Sequence, residues 1–199
     1  MSYIIAIGRQ YGSGGRYIAQ ELAKKLNINF YDNSLLEKVA QDSGLCVDFI
    51  KSNEEKKDSV FSFLGLHDST NYLTSSQRVA LAQFDTIEKI AQSGESCVIV
   101  GRCADYVLRK YPNLVSVFIC APIENRVVRA TTYYGLDEKK AAETIKKMDK
   151  KRASYYNYFT DKNWGEAESY DLCINSSIGI EESVQVIADF VQHKISSKK

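Results

Sequence analysis

The 199-residue chain lacks a long apolar run and an excess of charge of either sign, and each absence excludes a class of protein. No segment approaches the roughly 20 apolar residues that a membrane-spanning helix needs, and no basic and apolar export signal opens the chain. The formal net charge is +1, whereas a general nucleic-acid-binding surface needs a large basic excess. We therefore expect a cytoplasmic protein that binds neither membranes nor nucleic acid polymers.

Residues that commonly bind metals are also scarce. The two histidines, at 67 and 193, lie far apart in sequence, and the five cysteines form no Cys-x-x-Cys pair. This pattern does not match a zinc site. An odd number of cysteines, three of them in apolar runs, favours reduced thiols over disulfides. At 44% hydrophobic residues, the chain is expected to form one domain, 1–199, while its oligomeric state stays open.

Apolar runs that resemble strands alternate with helical patterns along the chain. Because the runs are continuously apolar, the strands should be covered on both faces, as in parallel sheets. Strand and helix in alternation predict an α/β fold with three layers, a doubly wound five-stranded parallel sheet between helices. The five runs are Tyr3 to Ile7, Ile28 to Tyr31, Cys97 to Val100, Leu114 to Cys120 and Tyr170 to Ile174.

A glycine-rich loop follows the first predicted strand and precedes a helical pattern. Its glycines allow positive φ and a close approach of backbone N–H groups to an anion at a helix N-terminus. The usual G-x-x-x-x-G-K-[ST] motif would place lysine at Gly15, so the nearest cation is Arg16 and the nearest ordinary Mg²⁺ ligand is the Ser13 hydroxyl. The loop therefore predicts phosphate binding, with a ligand-free glycine turn as the alternative.

Two further segments stand out. Residues 43–78 interrupt the alternation and indicate an inserted helical flap with a polar loop. Residues 126–152 carry nine Lys or Arg against four Asp or Glu, which marks either a solvated helix face or a phosphate-binding surface. Arginine favours the second interpretation, because its guanidinium binds phosphate through two parallel hydrogen bonds.

Several short strings follow the order and spacing seen in cytidylate kinases. The first is the loop Gly8-Arg-Gln-Tyr-Gly-Ser-Gly-Gly-Arg16, and the last is Tyr170-Asp171 with Trp164 before it. Between them lie Phe30-Tyr31-Asp32, Val100-Gly-Arg-Cys-Ala-Asp105, Asn125-Arg126-x-x-Arg129 and Asp149-x-x-Arg152. Over nearly its whole length the chain resembles the cytidylate kinase-like family, a divergent branch of the nucleoside monophosphate kinases in the P-loop NTPase superfamily.

The resemblance implies a P-loop kinase fold that transfers the γ-phosphoryl group of ATP to CMP or dCMP with Mg²⁺. It implies a helical monophosphate-binding insertion at 33–90 and a lid at 126–160. The implied catalytic residues are Arg16, Arg126, Arg129 and Arg152. The implied ATP-binding residues are Gly8, Gly12, Ser13, Gly14, Gly15 and Arg16, with Ser13 as the candidate metal ligand. The implied acceptor-binding residues are Asp32, Asn33, Lys38, Arg102, Asp105, Asp149 and Arg152.

The chain departs from the expected pattern at four positions. Gly15 replaces the loop lysine, and Arg16 stands where the loop motif has Ser or Thr. Lys38 stands where cytidylate kinases use arginine, and Cys103 replaces the aspartate of their G-R-D string. Phosphoryl transfer depends on cations around the γ-phosphate, so the missing lysine matters most, and we expect Arg16 to replace it. The alternative function is a nucleotide-binding or regulatory module whose degenerate loop no longer transfers phosphate efficiently.

Overall fold

Five parallel strands form one sheet in the order β2-β3-β1-β4-β5 in the computed structural model, which describes residues 2–32, 34–53 and 73–197. The strands are β1 (Ile4–Arg9), β2 (Asn29–Tyr31), β3 (Cys97–Val100), β4 (Leu114–Cys120) and β5 (Leu172–Asn175). The α-helices of the described residues are α1 (Gly15–Leu26), α2 (Ser34–Ser43), α3 (Val47–Asn53), α4 (Ser75–Gln92), α5 (Ala104–Val107), α6 (Ile123–Tyr134), α7 (Glu138–Thr160) and α8 (Ile180–Ser196).

The central strand β1 shows why the runs are continuously apolar. Its side chains alternate between two cores: Ile5 and Ile7 face one, and Ile4 and Ala6 face the other. All four are at most 1% exposed. A strand covered on both faces needs apolar residues at every position, so the prediction of a doubly wound parallel sheet is confirmed.

Helices fill both faces of the sheet. On one face, α1 and α8 bury residues such as Leu22 and Ile187 against β1. On the other, α2, α3 and α4 bury Leu35, Ile50 and Ile87. The helix α4 begins at a capping box, in which the Thr74 hydroxyl accepts from the Gln77 N–H and the Gln77 side chain accepts from the Thr74 N–H.

The structure contains all five predicted strands. Two of them match the prediction at both ends, and the ends of the other three differ by one or two residues. Asn33, a predicted acceptor contact, and residues 54–72 of the predicted flap lie outside the described residues. Within the described part of the chain, no helix combines the length and apolar character needed to cross a membrane. Two of the cysteines, Cys97 and Cys103, are buried free thiols, while Cys173 is exposed despite its apolar neighbours.

Candidate active site

A groove of about 310 Å³ opens where β1, β2 and β3 end, at the carboxyl edge of the sheet. Parallel sheets commonly bind ligands at this edge. The described residues that line the groove are Arg9, Gln10, Tyr11, Gly12, Gly14, Gly15, Arg16, Asp32, Arg102, Tyr134 and Arg152. Four arginines and one aspartate give this lining three net positive charges. The groove therefore suits a polyanionic ligand.

The loop between β1 and α1 needs glycine for two different reasons. Gly12 and Gly14 both have a φ of +77°, in the left-handed region that favours glycine. A Cβ on Gly12 would also lie 2.8 Å from the backbone carbonyl oxygen of Arg126. Gly8 does not line the groove, because it packs against the ring of Phe118, to which a Cβ would come within 2.8 Å. Of the predicted ATP-binding glycines, Gly8 therefore contributes packing, while Gly12, Gly14 and Gly15 line the groove.

The Ser13 side chain is used inside the loop. It is fully buried, its hydroxyl donates to the Gln10 carbonyl at 2.9 Å, and it accepts from the Gly15 N–H at 3.3 Å. Both bonds hold the turn that leads into α1. In this conformation the hydroxyl does not reach the groove, which disfavours the expected role of Ser13 as a Mg²⁺ ligand.

A buried ion pair supports the loop from the side of α6 and α7. Arg126 is 8% exposed and donates to the Asp149 carboxylate, and it also lies 3.4 Å from the Tyr11 carbonyl. The other carboxylate oxygen of Asp149 accepts from the Tyr11 N–H at 2.7 Å. Neither side chain lines the groove. Both side chains support the loop backbone, while the catalytic role of Arg126 and the acceptor contact of Asp149 stay predictions.

Arg129 supports the next part of the same loop. Its guanidinium donates to the Ser13 carbonyl at 3.0 Å and to the Ser176 carbonyl at 2.7 Å. The Ser176 hydroxyl also donates to the Ser13 carbonyl. Arg129 thus ties the loop to the end of β5 and lies outside the groove lining, and its catalytic role also stays a prediction.

The arginines that do line the groove come from four separate segments. Arg16 is 56% exposed by side chain and pairs with the buried Asp32, with its Nε 2.7 Å from the carboxylate. Arg152 donates to the Arg9 carbonyl at 3.0 Å, and its guanidinium carbon lies 5.5 Å from the centroid of the Tyr11 ring. The structure therefore brings Arg16, Asp32 and Arg152 together as predicted. Arg16, however, contacts Asp32 in this conformation and not the loop.

Arg102 reaches the groove from a strained turn after β3. Gly101, Arg102 and Cys103 have successive φ values of +76°, +57° and +55°. A left-handed conformation at a non-glycine residue costs about 1–2 kcal/mol, and such costs cluster at ligand sites. The turn directs the chain into α5 and leaves Arg102 at the groove, where the sequence predicted it.

Two predicted acceptor contacts lie elsewhere. Asp105, on α5, accepts a hydrogen bond from the Tyr156 hydroxyl at 2.7 Å and borders a separate cavity of about 260 Å³. Burial raises the pKa of the Asp105 carboxyl above its usual value, and the hydrogen bond from Tyr156 opposes that shift. Lys38 lies on α2 and is absent from the described lining of the groove. The structure thus corrects the placement of Asp105 and gives no support to that of Lys38.

Sequence reasoning missed Arg9 and the tyrosines of the groove. Arg9 is the last residue of β1, and the rings of Tyr11 and Tyr134 contact each other in a tilted arrangement, with their centroids 5.6 Å apart, beside the loop. A signal for Arg9 was present, because a cation that directly ends a buried parallel strand lies at the edge where ligands bind. The Tyr11–Tyr134 contact joins the loop to α6, and the sequence gives no signal for it.

Comparisons with known proteins agree with this geometry. A profile of the cytidylate kinase-like family matches residues 4–178. The crystal structure of an uncharacterized protein from Eubacterium ventriosum is 33% identical, with 96% of this chain and 99% of that chain covered and a TM-score of 0.75. No curated protein sequence matches.

Two distant neighbours show the fold alone. Shikimate kinase from Bacteroides thetaiotaomicron is 16% identical, with 96% of this chain and 98% of that chain covered and a TM-score of 0.57. Deoxyadenosine kinase from M. mycoides, solved with bound dATP, is 13% identical, with coverages of 95% and 99% and a TM-score of 0.52. Both neighbours have the P-loop kinase fold found here. Because the family profile matches residues 4–178, this chain belongs to the cytidylate kinase-like family.

Proposed function

We propose that the protein is a phosphotransferase that moves the γ-phosphoryl group of ATP to a nucleoside monophosphate, CMP or dCMP. The observation that carries the proposal is the groove in which a glycine loop at a helix N-terminus meets four arginines. Transfer of a phosphoryl group needs mainly positioning and neutralisation of charge on the phosphate oxygens. Backbone N–H groups and guanidinium groups supply both without changing their own protonation.

The donor binds at the loop. The N-terminus of α1 carries the positive end of the helix dipole, and Gly12, Gly14 and Gly15 place backbone atoms without side chains beside it. Arg152, held at the Arg9 carbonyl, adds a cation from α7. Residues 126–160 would form the lid over this donor, anchored to the loop by the Arg126–Asp149 pair.

The acceptor binds toward β2 and β3. Their carboxyl ends carry Asp32 and Arg102, on the same edge of the sheet as the loop. Arg102 would bind the acceptor phosphate, because a guanidinium group suits bidentate contact with phosphate oxygens. Asp32 would orient the acceptor nucleotide, with Arg16 holding its carboxylate in place. Residues 33–90 would form the remainder of this acceptor region.

The groove residues fit Mg²⁺ that arrives with the nucleotide. Mg²⁺ keeps several waters and phosphate oxygens and takes only one or two carboxylates from the protein. Asp32 supplies one carboxylate among the described groove residues, and those residues contain no cluster of His, Cys, Asp and Glu that would hold a metal unaided. When bound, the ion would neutralise charge on the transferred phosphoryl group.

A coupled assay for nucleoside diphosphate formation tests the proposal. The purified protein is given ATP, Mg²⁺ and CMP, dCMP, UMP, AMP or GMP in turn, and we expect turnover with CMP or dCMP. Arg152→Ala should lower kcat/KM by at least about tenfold, since it removes a cation worth roughly 1.5–3 kcal/mol in a charge-assisted contact. Lys150→Ala, an exposed cation on the same helix, should leave turnover unchanged.

Two other outcomes would contradict the proposal. Turnover with AMP, UMP or GMP alone would support a phosphotransferase but show that CMP and dCMP are not its acceptors. No turnover with any monophosphate, while ATP still raises the melting temperature, would favour the nucleotide-binding module.

A further inference from the structure

The loop differs from the G-x-x-x-x-G-K-[ST] motif at three positions: Arg16 stands where the motif has Ser or Thr, and the other two differences complement each other. With Gly14 as the second glycine of that motif, the first glycine falls on Arg9 and the lysine falls on Gly15. The chain therefore has a cation where the motif has glycine, and glycine where the motif has a cation. Relative to the motif, one cation and one glycine have changed places.

The two positions share one space in the structure. A Cβ built on Gly15 would lie 2.6 Å from the Cβ of Arg9 and 3.1 Å from its Cγ. Carbon atoms do not approach this closely without a shift, and the nearer contact is to the stiff base of the Arg9 side chain. A side chain at position 15 therefore excludes the present side chain at position 9. This exclusion explains why the position of the lysine holds glycine.

The rest of the Arg9 side chain crosses the floor of the groove. A Cβ on Gly101 would collide with Nη1 of Arg9, so the guanidinium group lies against the backbone at the end of β3. The base of the residue is held by strand pairing, because Arg9 is in register with Ile119 of β4. Arg9 thus extends from the central strand past Gly15, and its charge lies beside Gly101, while the residue forms part of the groove lining.

Arg16, the cation next to the lysine position in sequence, lies differently. It is more than half exposed, and Asp32 holds its Nε at the rim. Its Cα lies on α1, whose axis leads away from the loop. Arg9 is half-buried, and its Cβ and Cγ occupy the space that a side chain at position 15 would need.

We propose that Arg9 is the cation that contacts the β- and γ-phosphates of a bound nucleoside triphosphate, in the role that the lysine has in the usual motif. The proposal rests on the proposed function, since it assumes that this groove holds the triphosphate. A guanidinium group at this position contacts two phosphate oxygens at once, whereas lysine binds as a point charge. Arg9 is then a binding and catalytic residue of the donor site.

Titration calorimetry with ATP and with inorganic tripolyphosphate tests the exchange. Arg9→Gly should weaken both ligands at least tenfold, and Arg9→Gly combined with Gly15→Lys should recover most of the loss, because the space opens and the charge returns. Gly15→Lys alone should lower the melting temperature. Arg109→Ala is the matched control, since Arg109 is exposed, donates to the Tyr106 carbonyl and does not line the groove.

The outcomes separate this proposal from the proposed function. If the wild-type protein binds neither ligand, the donor site itself is wrong and both proposals fall. If the wild type binds ATP and folded Arg9→Gly binds it equally well, only the role of Arg9 is overturned. A folded double variant that binds no better than Arg9→Gly would overturn the exchange. Arg9→Lys provides a second measure if Arg9→Gly does not fold: it keeps the charge, and binding should fall less than tenfold.

Discussion

Replacing Asp149 by alanine should remove the contacts that hold the glycine loop and lower the free energy of unfolding by a large share. The Asp149 carboxylate accepts from the Tyr11 N–H and pairs with the buried Arg126. The Nε of Arg126 is already buried without a hydrogen-bond partner among the described residues. Alanine at 149 would therefore leave a buried guanidinium without its counter-charge and a loop N–H without its acceptor.

The magnitude follows from burial. The two side chains are 10% and 15% exposed, so solvent screens the pair little. Removing one partner of a buried ion pair costs about 3–5 kcal/mol. A hydrogen bond to a charged group contributes about 1.5–3 kcal/mol, but the same carboxylate makes both contacts, so the two values are not added. We expect a loss of about 3–5 kcal/mol from a total that for most domains is about 5–15 kcal/mol.

Equilibrium unfolding in urea measures this loss. With a slope of about 2–3 kcal/mol per M, the midpoint of Asp149→Ala should fall by roughly 1–2.5 M. Asp85→Ala is the matched control, because Asp85 pairs with Lys89 on the exposed face of α4, and its midpoint should equal that of the wild type. Arg126→Met combined with Asp149→Leu leaves no unpaired charge and should recover part of the loss.

The reasoning fails if Asp149→Ala loses less than about 1 kcal/mol, because a buried pair cannot be broken at that cost. A variant with an unchanged midpoint and lost turnover would show instead that Asp149 contacts the substrate, as the family resemblance first implied.

Three more variants test the backbone and the buried carboxyl. Gly12→Ala should destabilise the protein by more than Gly94→Ala in urea unfolding and weaken ATP binding. Both glycines have a φ near +77°, but only at Gly12 would the new Cβ meet a backbone carbonyl. Arg102→Gly should raise the free energy of unfolding by about 1 kcal/mol through relief of its left-handed conformation, while ATP turnover falls; equal stability would refute the strain. Asp105→Asn keeps an acceptor for Tyr156 and cannot ionise. Because burial raises the pKa of Asp105 in the folded protein, the wild type loses stability as the pH rises above the unfolded value near 4 and through the raised folded value. The variant should therefore gain stability relative to the wild type as the pH rises above about 4, and a pH-independent difference would contradict the shift.

The strands were predictable because burial on both faces leaves a direct mark in the sequence. The runs at Cys97–Val100 and Leu114–Cys120 match β3 and β4 at both ends. The last strand begins later than the apolar run, at Leu172. There the Asp171 carboxylate accepts from the Ser116 N–H, while the ring of Tyr170 packs on Phe118 at a centroid distance of 5.0 Å. Here a side-chain carboxylate takes the place of a backbone carbonyl as the acceptor for a strand N–H group, and such a replacement leaves no mark in the hydrophobic pattern of the sequence.

The site was predictable where residues follow a strand directly. Gly12, Arg16, Asp32 and Arg102 all line the groove, as expected from the rule that parallel strands end at one edge. The helical candidates were less predictable. Arg126 and Asp149 share a pattern with residues that bind phosphate, yet they bind each other and the loop backbone.

The sequence by itself determined the parallel sheet, the glycine loop and the edge at which the groove opens, because continuous burial and positive φ restrict the residue types allowed. Only the tertiary structure decided which cations face the groove. An arginine on a helix beside the loop reaches either the groove or the far side of the loop backbone, and Arg126, Arg129 and Arg152 divide between the two. That choice depends on how α6 and α7 pack against the loop, as the place of Arg9 depends on the missing Cβ atoms of Gly15 and Gly101. Such contacts join residues far apart in the chain, and no local pattern records them.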